Sequence, residues 1–151
     1  MKYSIDTSSL IQGFRKIFPY EIVPTFWNKH LPSLIDSGEL RATEVVRWEL
    51  EEQDDELLNW VAGFGDLFID LDEAVQKRVK EILRDHPRLV HRGRSTADPF
   101  VIALAETTDG CAVVCEENRK PTAPKMPDVC DARGVRCIRL LDLVRDKGFT
   151  Y

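Results

Sequence analysis

Residues 2–11 read KYSIDTSSLI. Tyr3 and Ile5 alternate with polar neighbours, the period of a half-buried strand, and the small residues after them open an apolar helical pattern. Asp6 stands at the junction. An aspartate there serves as a helix cap, its carboxylate accepting a hydrogen bond from an orphan amide of the first turn. It also serves a site, because in open parallel α/β sheets ligands bind in the crevice beyond the carboxyl ends of the strands. Which use applies depends on whether other carboxylates share that edge.

The pattern along the rest of the chain alternates strands and helices. Residues 8–18 (SSLIQGFRKIF) predict a helix stopped at Pro19, and 24–37 (PTFWNKHLPSLIDS) a helix interrupted or restarted at Pro32 and ended by Gly38. TEVVRWELEEQ (43–53) and DDELLNWVAGF (54–64) predict two more helices, LFIDL (67–71) a strand, and DEAVQKRVKEILRDH (72–86) an amphipathic helix closed by Pro87. ADPFVIALAETT (97–108) predicts a strongly apolar helix and CAVVC (111–115) a buried strand. VRCIRLLDLVRDKG (135–148) predicts a strand leading into a last helix. RKPTAPKMPD (119–128), with three prolines, predicts a loop or lid. Strands separated by helices imply an α/β domain with a parallel sheet covered on both faces.

A chain of 151 residues suits one domain, and 43% hydrophobic with 31% charged residues is globular composition. Lys2 is followed by polar residues where a secretion signal would be apolar, and no apolar run spans a bilayer, so a cytoplasmic protein without a membrane segment is expected. Cys111, Cys115, Cys130 and Cys137 are expected as reduced thiols; a zinc site would need paired CxxC spacing or a nearby histidine. The net charge of −5 hides an asymmetry, since residues 76–94 carry seven Lys or Arg against only Glu81 and Asp85. Such a stretch is either a solvated helix face or an edge that holds a polyanion.

Four carboxylates are candidates to meet. Asp6 ends the first strand. In TEVVRWEL, helical geometry places Glu49 within an apolar arc of Val45, Val46, Trp48 and Leu50, whereas Glu44 points elsewhere. Pro99 fits a first helical turn, so Asp98 is expected as the N-cap of the apolar helix. In VVCEEN a buried strand gives way to Glu116 and Glu117, either exposed loop charge or ligands. Carboxylates crowded at one crevice repel each other unless a cation joins them, and hard oxygen donors favour Mg2+ or Mn2+.

The order of IDTSSLI, TEVVRWEL, TADPFVIALA and VVCEEN resembles the PIN-domain family, which includes VapC-like toxin ribonucleases. The resemblance covers essentially the whole chain as a single domain. It implies a three-layer α/β/α sandwich around a parallel sheet and a Mg2+- or Mn2+-dependent endoribonuclease acting on RNA. It further implies a partner antitoxin and a homodimer. By position, Asp6, Glu49, Asp98 and Glu117 match the family's acidic residues, as catalytic groups and metal ligands. Cys115 and Glu117 stand where the family more usually has threonine and aspartate, and Thr7 or Ser8 supplies the hydroxyl near the first aspartate. Basic residues Arg92, Arg94, Arg119 and Lys120 would track the RNA backbone. Two other classes also fit strand-end carboxylates. One is a phospho-accepting receiver or aspartyl-phosphate hydrolase, although the latter needs an aspartate where Ser8 stands; the other is a catalytically weak PIN-like binding module.

Overall fold

The computed structural model describes residues 1–90, 96–120 and 122–151. Strand β1 (Tyr3–Ile5) leads through Asp6 into helix α1 (Thr7–Gln12), which continues as a π-helical turn, Gly13–Ile17. A second π-helical turn, Phe26–His30, runs into α2 (Leu31–Asp36), with Pro32 in its first turn. Strand β2 (Leu40–Thr43) is followed directly by α3 (Glu44–Gln53) and α4 (Asp55–Val61), then β3 (Phe68–Ile69) and α5 (Glu73–Asp85). The second half comprises α6 (Asp98–Glu106), β4 (Ala112–Val114), α7 (Met126–Arg133), β5 (Cys137–Ile138) and α8 (Leu140–Lys147).

The five strands form one parallel sheet in the order β3-β2-β1-β4-β5. Helices flank it in a three-layer α/β/α sandwich, as the alternation of periods predicts. The chain steps outward from β1 to β3 and then restarts on the other side of β1 with β4. The gap between the carboxyl ends of β1 and β4 is therefore the topological switch point. On one face α6 lies across β1, β2 and β4 and packs against α5 and α7. Its residues Val101–Ala105 are all buried, so apolar side chains surround it as the sequence indicates. Ser4 Oγ on β1 donates to the Val101 carbonyl of α6 at 2.8 Å, satisfying a buried hydroxyl and locking helix to sheet. Helix α5 buries Val75, Val79 and Ile82 and turns its charged side outward, as its periodicity predicts.

On the other side, Phe14, Phe18, Phe26 and Trp27 form a buried aromatic cluster around the two π-helical turns. Trp27 Nε1 donates to the Phe18 carbonyl at 2.6 Å. Gly13 sits against this cluster so closely that an added methyl would lie 2.6 Å from Leu140 Cδ2 and 3.3 Å from Trp27 Cζ2.

Several sequence expectations are corrected here. Strand β2 was not expected: LRAT is short and carries Arg41, whose guanidinium turns aside to the Ile35 and Leu40 carbonyls, while Leu40 and Ala42 are buried. The predicted loop of residues 119–128 ends in the first turn of α7, because Asp128 accepts the Lys125 N–H at 2.8 Å and caps the helix. Trp48 is 51% exposed and does not belong to the apolar arc, leaving Val45, Val46 and Leu50 as the buried side of α3. Asp98 is the first helical residue of α6, with Ala97 at the cap position and no side-chain cap bond. All four cysteines are free, and no helix among the described residues is long and apolar enough to cross a membrane.

Candidate active site

Four segments deliver carboxylates to one cavity of about 480 Å³ at the switch point. Asp6 arrives from the end of β1, Glu49 from the middle of α3, Asp98 from the start of α6 and Glu117 from beyond β4; all four line it. Glu44 does not. Gln12, Glu52, Gln53 and Thr96 also face the cavity. The two glutamines and Glu52 follow from helical spacing, Gln12 one turn beyond Ser8 and Glu52 and Gln53 one turn beyond Glu49.

Ser8 ties the two sides of the switch point together. Its Oγ donates to Asp6 Oδ2 at 2.6 Å and accepts the Glu116 N–H at 3.1 Å. Asp6 Oδ2 also accepts the Ser8 N–H at 3.2 Å, so Asp6 caps α1 while it faces the cavity. The same carboxylate thus caps the helix and lies in the crevice beyond the strand ends. Thr7 Oγ1 donates to Glu49 Oε1 at 3.2 Å and fixes the approach of α3 to β1. The two candidate hydroxyls therefore divide the work, Ser8 on the aspartate and Thr7 on the glutamate.

The two adjacent glutamates after β4 part company. Glu116 is buried and turned away from the cavity, its Oε1 accepting the Leu140 N–H at 2.6 Å at the start of α8. It is a cap supplied from a distant loop, and nothing local in VVCEEN signals it. Glu117 turns into the cavity, its Oε2 accepting the Met126 N–H at 3.2 Å at the start of α7. Cys115 Sγ accepts the Glu117 N–H at 3.2 Å, the local turn contact that a threonine hydroxyl makes from that position. Contact with the Cys137 thiol and burial hold the Cys115 thiol far above its ordinary range, so it adds no charge beside Asp6.

The electrostatics are those of carboxylates pressed together out of water. Burial, with the charges of Glu117 and Glu49 added, pushes the Asp6 carboxyl up to about 7 despite its bonds from Ser8. Burial, then the neighbouring Asp6 and Glu117 charges, raises Asp98 well above the usual carboxylate range. Glu49 is raised chiefly by burial. Among the described residues the Asp98 side chain accepts no hydrogen bond. As the side chains stand, no group of three or more His, Cys, Asp or Glu among the described residues forms a ready metal-holding arrangement.

The basic candidates fare differently. Arg119 is engaged by Asp131 through two bonds of 2.7 and 3.1 Å, and lines a second cavity beside the first together with Lys120. Arg92 and Arg94 lie outside the described residues. A larger cavity, of about 840 Å³, opens at the opposite, amino-terminal edge of the sheet. There Glu106 is held by Arg78 and Arg133, and Arg136 by Asp146.

Fold and site together define a parallel α/β domain with an acidic cleft at its switch point. The chain belongs to the family described as Domain of unknown function (DUF4411), whose model matches residues 3–151. No curated protein gives a significant match.

Proposed function

We propose that the chain is a PIN-like, metal-dependent endoribonuclease that hydrolyses RNA phosphodiester bonds. The observation that carries this reading is the convergence of Asp6, Glu49, Asp98 and Glu117, from four separate segments, on one cavity at the switch point. The donor set fits Mg2+ or Mn2+ in its chemistry: every donor is a hard oxygen, and the repulsion among Asp6, Asp98, Glu49 and Glu117 is what a divalent cation relieves. Asp6, Asp98 and Glu49 would hold the ion. When bound, it supplies a water of lowered pKa and positive charge beside the phosphate.

The chain's own residues do the rest. Ser8 and Thr7 fix Asp6 and Glu49. Glu117 is oriented through Oε2 by the Met126 N–H, leaving Oε1 to orient the attacking water and take its proton, or to hold a second ion. The proposal extends, on the resemblance to PIN domains, to a toxin restrained by an antitoxin and to a homodimer. A cytoplasmic setting suits the four free thiols.

The test is RNA cleavage by the purified chain with Mg2+ or Mn2+ against chelator, alongside the metal-induced thermal shift. The parent cleaves and is stabilised by metal through mass action. Asp6→Asn abolishes cleavage and most of that shift, yet is no less stable than the parent in chelator, because asparagine keeps the cap and removes a repelling charge. Cleavage and a full metal shift in Asp6→Asn would reduce Asp6 to a helix cap. A parent with neither property would be a binding module.

A further inference from the structure

The acidic cleft continues beyond Glu117 into a second cavity of about 370 Å³, which shares Gln12 and Glu117 with the first. There the charge reverses. Arg119, Lys120 and Lys125 line it, all from the segment between β4 and α7. Arg119 is occupied by Asp131, Glu116 is committed to the start of α8, and Asn118 accepts from Arg139. The ammonium groups of Lys120 and Lys125 have no carboxylate partner among the described residues, and residues 91–95 and 121 contain no Asp or Glu. The two lysines are nevertheless held together. The backbone N–H groups of Lys120 and Lys125 both donate to Asp128 Oδ2, at 2.9 and 2.8 Å, so one carboxylate ties the two backbone positions together.

We propose that Lys120 and Lys125 form a phosphate subsite that holds a neighbouring phosphate of the single strand whose scissile phosphate lies in the acidic cleft. The proposal rests on the nuclease reading for its substrate class. An acidic site that takes a polyanion needs positive charge close by. Two unpaired lysines with their backbone positions tied together supply it beside Glu117, at the end of the cleft next to α7. Lysine serves as a point charge on phosphate and reads no base, so the subsite confers affinity and register without sequence choice. Arg119, although nearer in sequence to the strand, is spent on Asp131.

The test measures binding of a labelled, unstructured oligoribonucleotide in chelator, where a metal-dependent enzyme leaves the strand uncut. The double variant Lys120→Gln/Lys125→Gln should bind about tenfold more weakly than the parent, with a salt slope shallower by about 0.7 for the one phosphate released. Lys2→Gln, which removes a lysine charge beside Glu39 at the amino-terminal edge of the sheet, should bind as the parent does. In cleavage assays the double variant should raise KM on the oligonucleotide and leave kcat in place, and it should not change the turnover of a dinucleoside monophosphate, which has no second phosphate. Equal affinity and equal salt slope in parent and double variant would overturn the subsite, as would a parent that binds no oligonucleotide. Lysine-dependent binding by a parent that cleaves nothing would keep the subsite and sink the nuclease reading instead.

Discussion

Glu49 and Glu44 share α3, yet only Glu49 reaches the cavity, where Thr7 holds it. Glu49→Gln should therefore abolish metal-dependent cleavage while Glu44→Gln keeps most of it; comparing kcat for the two variants checks this, and the reverse ranking would remove α3 from the site. The buried aspartates make a second prediction. Asp6 is raised from the ordinary 3.8 to about 7 and Asp98 is raised as well, so between 3.8 and about 7 the folded chain binds more protons than the unfolded one. Stability in chelator should then rise as pH falls from about 8 to about 5.5. His30, whose ionisation is disfavoured by burial, works in the opposite sense, so the clean readout is a difference between variants. Asp98→Asn should melt above the parent at alkaline pH, with the gap closing as pH falls towards the ordinary carboxylate range. A gap that does not change with pH would mean that the Asp98 charge is already compensated. At this scale Asp6, Glu49 and Asp98 were legible because strand ends, helix faces and proline positions are local signals. Trp48 was misplaced because hydrophobicity is not burial: at helical spacing it lies about 160° from Leu50, too far round to share its face. Glu116 was illegible because the amide it caps belongs to Leu140.

The elements carrying the site are braced by contacts that sequence pattern does not report. Gly13 lets the turn after α1 press against α8 and Trp27, and Leu140, at 1% exposure, has little room to yield. Gly13→Ala should cost about 1–3 kcal/mol through overpacking, despite alanine's better helix propensity. Chemical denaturation of the parent and variant checks the sign; a stabilised variant would show that Leu140 moves freely. Long periodic helices such as α5 were plain from sequence, whereas β2 and α7 were not. Strand β2 is four residues long and is fixed as a strand by its neighbours β1 and β3. Helix α7 starts within a proline-rich run and owes its first turn to Asp128. Both are stabilised by tertiary partners, and a single-segment pattern holds no trace of them.

For the molecule as a whole, alternating strand and helix periods made the parallel three-layer architecture legible, but not the strand order that brings Asp6 beside Glu117. That order has a consequence for synthesis. Ile5 pairs with Val114, so β1 waits at the centre of the sheet for a partner encoded far downstream. Asp98 and Glu117 are also made late, and the cavity they share with Asp6 and Glu49 closes only after β4 has docked. A ribosome-stalled chain ending before Ala112 should therefore be protease-sensitive around β1 and inert towards RNA. One extended past Lys147, with its whole length clear of the exit tunnel, should acquire protection and activity together. A chain that cuts RNA, as proposed, would in this way stay inert until β4 has been made and has docked beside β1.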